Sequence, residues 1–197
     1  MRVLVVGATG VIGREIVGAL SPRHEVISAH RSGDYPVDLT DPGSIANMYA
    51  AVGRVDAVVV ASGAARFGPF ASLSEADFHV GLDSKLMGQV NLVRLGVDAV
   101  SDRGSFTLTS GILARNPTPG SAAISPVNAA VEGFGRAAAL ELPRSIRINV
   151  VSPPWVAETL RAMGRDPSAG APAAVVARAY VRSVEGAETG QVIEIGV

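Results

Sequence analysis

Short apolar runs rich in valine and isoleucine recur at residues 3–6, 26–29, 57–61, 106–109, 146–151 and 192–195. They are mostly apolar at both alternating positions, the pattern of strands buried between two helical layers of a parallel sheet. Helical patterns lie between them. Asp41-Pro42 has the form of an N-cap with proline at the first helical position. Leu73-Ser74-Glu75-Ala76-Asp77-Phe78 has the form of a capping box, with Leu73 and Phe78 placed as a hydrophobic staple. It predicts a long helix in which Leu82, Leu86, Val90, Val93 and Val97 form one apolar stripe. Ser125-Pro126 marks another helix start, with proline in its first turn, ahead of an alanine-rich segment. Alternating βαβ units predict an α/β fold: a Rossmann-like, doubly wound parallel sheet of about seven strands with helices on both faces. The 197 residues make a single domain, because the only linker-like stretch, 164–172, is too short to separate two.

Where the first strand ends, the chain reads Gly7-Ala8-Thr9-Gly10-Val11-Ile12-Gly13. A glycine-rich turn between a strand and a helix suits a dinucleotide pyrophosphate. Gly7 permits the tight turn, Gly10 lets backbone approach phosphate, and Gly13 lets the helix pack close to the strand. The helix N-terminus adds free N–H groups and partial positive charge. The spacing, G-x-x-G-x-x-G, differs from the usual G-x-G-x-x-G and is weak as an isolated motif. Gly7, Thr9, Gly10, Val11, Ile12 and Gly13 are the candidate phosphate contacts. After the second strand comes His30-Arg31-Ser32, with no carboxylate before Asp34. An acidic residue there would favour NAD through the ribose hydroxyl. A guanidinium and a hydroxyl instead suit a 2′-phosphate, so NADP is the expected cofactor and NAD the less favoured one. The alternative for Arg31 is a solvated loop residue.

Composition narrows the partners. Net charge is −1 with no basic run, which argues against nucleic acid. Cysteine is absent and the three histidines are scattered, so neither thiolate nor histidine metal spacing exists and no metal is expected. The expected setting is cytoplasmic, since there is no secretory leader and no apolar stretch long enough to cross a bilayer.

Over residues 3–196 the chain resembles a short-chain dehydrogenase/reductase. Asp38-Leu39 resembles the pair that contacts adenine in that family, and Ala61-Ser62-Gly63-Ala64 its Asn-Asn-Ala-Gly turn. Leu108-Thr109-Ser110 resembles the strand end that carries the active-site serine, and Ala129-Ala130-Val131-Glu132-Gly133-Phe134 the helix after the catalytic lysine. Ile148-Asn149-Val150-Val151-Ser152-Pro153 resembles the approach to the Pro-Gly loop, here Pro153-Pro154, and Thr189-Gly190-Gln191 the turn before the last strand. The resemblance implies His30, Arg31, Ser32, Asp38, Leu39, Ala61, Ser62, Gly63, Pro153 and Val156 as further cofactor contacts. It also implies pairing of two copies, as dimer or tetramer, through the helices around 82–97 and 129–140, where Gly133, Gly135 and 137–139 would allow close approach.

The active site departs from that family. The Tyr-x-x-x-Lys motif aligns on Ile124 and Asn128, so neither residue type is present. Ser110 keeps the serine position, with Thr109 as a substitute. The family's helix asparagine aligns on Lys85, so lysine and asparagine look exchanged between two helices. Ser110, Lys85 and Asn128 are therefore the candidate catalytic residues. Lys85 either restores positive charge beside the nicotinamide ribose or faces solvent. Tyr180 either reaches the pocket or packs in the core. Trp155 either walls the pocket or plugs the gap beneath a shortened lid at 156–172. Two functions remain open: an NADP-dependent oxidoreductase on a small carbonyl or alcohol, and a non-catalytic NADP(H)-binding sensor or assembly partner.

Overall fold

A computed structural model describes residues 1–196. Seven strands form one parallel sheet: β1 (Arg2–Val6), β2 (Glu25–His30), β3 (Tyr35–Pro36), β4 (Val55–Val60), β5 (Val100–Thr109), β6 (Arg147–Ser152) and β7 (Val192–Glu194). Their order across the sheet is β3-β2-β1-β4-β5-β6-β7, with every neighbour pair parallel. The order reverses at β1, which leaves a crevice beyond the carboxyl ends of β1 and β4, the usual ligand position in such sheets. The doubly wound architecture read from the apolar runs is the one observed.

Alternate strand residues feed two separate cores. Val3 and Val5 of β1 pack with Ala57 and Val59 of β4 beneath helices α1 (Val11–Leu20) and α7 (Ala173–Glu185). Leu4, Val6, Val58 and Val60 face α2 (Pro42–Val52), α4 (Gly88–Gly96) and α5 (Ile124–Ala138). Both sheet faces are covered, so the strands lack polar alternation. Among the described residues no helix is long and apolar enough to cross a membrane.

Local signals set the helix starts. Asp41 accepts a hydrogen bond from the Gly43 amide and caps α2. Ser74 and Asp77 complete a reciprocal capping box at α3 (Glu75–Gly81). Helix α5 begins at Ile124, so Pro126 occupies a first-turn position whose N–H would have no helical partner in any case. The stretch 164–172 is not a linker. It holds a one-turn 3₁₀ segment, Pro167–Ala169, and returns through Ala171 to bridge Val156 behind the short helix α6 (Ala157–Ala162).

The expected long helix is interrupted by a π-helical segment, Leu82–Met87, between α3 and α4. A π turn inserts a residue into the helical repeat and rotates the later turns about the axis. Ser84, Lys85, Gln89 and Leu92 are consequently buried, whereas Leu82 is 38% exposed and Leu86 and Val90 are half-buried. The predicted apolar stripe is therefore turned partly outward at its N-terminal end, at Leu82, while Val93 stays in the core and Leu86 and Val97 pack at its margin. Gly88 and Gly96 bring this helix close to Leu39 and to the Tyr49 ring.

Candidate cofactor groove and active site

A cavity of about 460 Å³ lies at the crevice, lined by Gly7, Thr9, Gly10, His30, Arg31, Ser32, Asp38, Leu39, Ala61, Ser62 and Gly63, together with Val6, Val37, Ala64 and Ser84. Eleven of the sixteen residues singled out as cofactor contacts thus converge there. Gly7 adopts φ +87°, and a Cβ on it would lie 2.7 Å from the Ala61 carbonyl oxygen. A Cβ on Gly13 would meet the Gly7 carbonyl oxygen at 2.0 Å. Gly13 is thus a packing residue at the strand–helix junction and does not line the cavity. The side chains of Val11 and Ile12 also lie outside it, which leaves their backbone N–H groups as the means of contact. Gly10 caps α1 with no side-chain bond, and the first turn holds no acidic residue. This helix end has unclaimed donors and no negative charge, as an anion requires.

At the far wall, Asp38 accepts from the Thr40 backbone and hydroxyl, which hold its carboxyl below the usual range, with Arg31 adding a smaller effect. Arg31 and Ser32 are exposed at the rim. A cradle with free amides at one end and, among the described residues, a cation without an ion pair at the other fits a phosphorylated dinucleotide.

A second cavity of about 140 Å³ adjoins the first, where a Cβ on Gly63 would lie 2.9 Å from Lys85 Cγ. It is lined by Lys85, Ser110, Gly111, Ile112, Leu113, Ile124, Asn128, Pro153, Pro154, Trp155, Val156 and Thr159. The three candidate catalytic residues therefore meet in one place, and Pro153 and Val156 border it and not the larger cavity. Lys85 is 9% exposed, and its Nζ donates to the Ser110 carbonyl oxygen at 3.0 Å. Desolvation lowers its pKa from 10.5 to about 8. Lys85 does not face bulk water. Asn128 is 1% exposed and its Oδ1 has no hydrogen-bond partner. One helical turn before it, Ile124 occupies the wall.

Two residues that sequence reasoning did not select organise this pocket. Gln89, fully buried, accepts from the Thr109 amide at 2.8 Å and donates to the Thr109 carbonyl at 2.9 Å, fastening the end of β5 to the helix. Glu132, 4% exposed, accepts from the Ser110 hydroxyl at 2.8 Å and from the Ser152 hydroxyl at 3.0 Å. Spacing held a signal for both. Gln89 follows Lys85 by four residues, and Glu132 follows Asn128 by four, so each shares a helical face with a selected residue.

Tyr180 is a core residue: it is fully buried, its hydroxyl lies 2.6 Å from Thr109 Oγ1, and burial pushes its phenol above the ordinary range. Trp155 both walls the pocket and packs against the segment that follows α6. Its ring meets Phe67 edge-on with centroids 5.8 Å apart, and the Arg165 guanidinium stacks on it at 4.8 Å.

The model of the family described as Enoyl-(Acyl carrier protein) reductase matches residues 11–194. Among solved structures, the protein lin1944 from Listeria innocua is 44% identical, each chain covering 100% of the other, with a TM-score of 0.95. A small-chain dehydrogenase in complex with NADPH is 27% identical over 99% of this chain and 96% of that one, with a TM-score of 0.88. The hydroxynaphthalene reductase arp2 of Aspergillus fumigatus is 31% identical over 53% of this chain, and the oxidoreductase UcpA of Escherichia coli 28% over 64%. This chain spans 38% of the length of the first of these two enzymes and 51% of the second. With the switch-point crevice, the glycine cradle and a family match over nearly its whole length, the chain belongs to the short-chain dehydrogenase/reductase family.

Proposed function

We propose that the protein is an NADP(H)-dependent oxidoreductase acting on a small carbonyl or alcohol, with Lys85 handling the proton at the reacting oxygen. The observation that carries this reading is the buried Lys85 amine, held by the Ser110 carbonyl in a pocket that adjoins the dinucleotide groove. A merely structural lysine gains nothing from burial without a carboxylate partner. The coenzyme supplies or receives hydride when bound. The amides of Val11 and Ile12 would hold its pyrophosphate and Arg31 its 2′-phosphate, while Ser62 and Gly63 in the groove and Pro153 and Val156 in the adjoining cavity would hold its redox end. Lys85 gives its proton to the oxygen of a carbonyl, or takes one from an alcohol, and its lowered pKa suits both directions near neutrality. Ser110 and Asn128 position the reacting group.

Turnover of NADPH with a panel of quinones, ketones and aldehydes tests the proposal, with Ser110→Ala as comparison. Tight NADPH binding without turnover by the wild type would favour the alternative, a non-catalytic sensor or assembly partner. The observation behind that alternative is the aliphatic Ile124 in the pocket wall, where the family's motif carries tyrosine. Arg31→Ala is expected to weaken NADPH binding by roughly 10- to 100-fold, the worth of one charge-assisted phosphate contact, and to leave NADH unchanged. Fluorescence titration with both coenzymes checks this, and equal weakening of the two would remove Arg31 from the phosphate site.

A second copy of the chain is the proposed partner. An apolar groove between α4 and α5 is lined by Val90, Val93, Val97, Phe134, Ala138 and Leu142, with Arg94 and Glu141 at its edge. Opposite charges on one patch suit a two-fold contact in which each arginine meets the other copy's glutamate. Ala137→Arg, at an exposed position in this groove, is expected to convert a dimer into a monomer in sedimentation velocity at micromolar concentration. A wild type already monomeric there would refute the pairing.

A further inference from the structure

The Ser110 hydroxyl has a single proton, and Glu132 takes it. Ser110 Oγ lies 2.8 Å from Glu132 Oε1 with the hydroxyl as donor, since an ionised carboxylate only accepts. The charge on Glu132 is supported by Arg115 at 3.9 Å and Arg136 at 4.0 Å, and Ser152 donates to the same carboxylate oxygen. Arg115 also reaches Ser152 Oγ at 3.2 Å and pairs with Glu194 outside the pocket. The network anchors Glu132 from the ends of β6 and β7, so the carboxylate is not free to turn away. On its pocket side Ser110 offers only lone pairs. Lys85 as the ammonium, the form that reduction requires, has in contrast only N–H donors to offer.

We infer that Glu132 sets the polarity of the pocket: by accepting the proton of Ser110 it makes that oxygen an acceptor, so the site selects a ligand presenting a hydroxyl to Ser110 and a carbonyl oxygen to Lys85, a small α-hydroxycarbonyl. This rests on the oxidoreductase reading above and narrows its substrate class. Glu132 is a positioning residue, acting on the ligand through Ser110. The walls of Ile112, Leu113, Ile124 and Trp155 are apolar, so a ligand polar group turned toward them would find no compensation; the remaining polar lining is Thr159 and Asn128, whose amide offers both a donor and an acceptor. The cleft of about 140 Å³ is close in size to the roughly 150 Å³ enclosed cavity that accepts benzene in another protein, so the part of a ligand seated in it amounts to about six non-hydrogen atoms. In the alcohol product of reduction the Ser110 contact is unchanged, and the new hydroxyl oxygen takes its proton from Lys85.

Hydroxyacetone and butanone, matched in size, separate the two polarities. With NADPH as reductant, wild-type KM should be about tenfold lower for hydroxyacetone, the worth of one hydrogen bond that butanone cannot make. Ligand-observed NMR on the NADP⁺-loaded protein should rank the two probes in the same order without turnover. In Ser110→Ala the preference should fall to near unity with NADPH affinity unchanged. Glu132→Leu should lose the preference as well, by returning the serine proton to the pocket. Glu132→Gln, whose amide oxygen still accepts from Ser110, should retain it. If Glu132→Leu does not fold, the Ser110→Ala ratio decides alone. Equal binding of both probes by the NADPH-competent wild type, or equal weakening of both in Ser110→Ala, overturns the polarity. Failure of the wild type to bind NADPH overturns it together with the reading on which it rests.

Discussion

Lys85→Met is expected to stabilise the protein at pH 7 while removing its catalysis. Burial lowers the Lys85 pKa from 10.5 to about 8, with desolvation as the cause and no ion pair to offset it. Between those two values the unfolded chain binds the proton and the folded one does not, so stability rises with pH across that window. Below pH 8 both states are charged, and the folded state bears the full desolvation penalty, about 3 kcal/mol at 1.36 kcal/mol per pKa unit. Methionine is similar in length and apolar. It forfeits the bond to the Ser110 carbonyl, worth about 1 kcal/mol. The net gain is about 2 kcal/mol, which raises the melting temperature by roughly 4–8 °C for a chain of this size. Carbonyl reduction should fall by roughly 10²- to 10⁴-fold, the usual worth of a positioned acid. In the wild type, reduction should decline as pH rises through about 8 and alcohol oxidation should increase, since one needs the ammonium and the other the amine. Calorimetry at pH 7 and near pH 10.5 checks the linkage. The gain of Lys85→Met should vanish before the higher pH and become a loss of about 0.5 kcal/mol there, where the lost hydrogen bond outweighs the remaining penalty. A variant less stable than wild type at pH 7 would refute the linkage.

What could be read before the fold was known was local, and what could not was tertiary. The glycine loop, the Asp41 cap and the Ser74–Asp77 box depend on neighbours a few residues apart, and each lies where its pattern placed it. The two-residue strand β3 is too short to carry a periodicity. Strand β5 starts at Val100, ahead of the apolar run, a start hidden because residues 101–105 include no apolar side chain and the register against β4 shifts between Val55 and Ala57. The π-helical segment had no compositional mark. It alters which side of the helix is inward, so Lys85 is buried while Leu82, on the predicted apolar stripe, is not. Ser110, Lys85 and Asn128 were legible as candidates through their alignment with a known motif. Gln89 and Glu132 carried only the weak signal of an i+4 spacing to Lys85 and Asn128, because their importance lies in what they touch across the sheet ends. The fold thus came from pattern, whereas the chemistry of the pocket came from contacts between distant segments.

Two glycines of α1 provide a matched pair, and their alanine variants should move stability in opposite directions. At Gly13 a Cβ would stand 2.0 Å from the Gly7 carbonyl oxygen, 2.9 Å from its carbon and 3.0 Å from the Ala8 carbon. All three are backbone atoms of the cradle, so no side chain can swing aside. Gly13→Ala must push α1 away from β1, disturbing Ile16 and Leu20, which are fully buried against the sheet. Overpacking of this kind costs about 1–3 kcal/mol or more. It would also move the amides of Val11 and Ile12 from the proposed pyrophosphate position, so NADPH affinity should fall by at least about tenfold, equivalent to 1.4 kcal/mol. At Gly18 nothing lies within 4 Å of the added methyl. Alanine there only reduces the freedom of the unfolded chain and is expected to stabilise by about 0.5–1 kcal/mol with coenzyme binding intact. Thermal unfolding and coenzyme titration of both variants check the pair. If Gly13→Ala retained wild-type NADPH affinity, close contact between α1 and the Gly7 turn would not be what shapes the cradle.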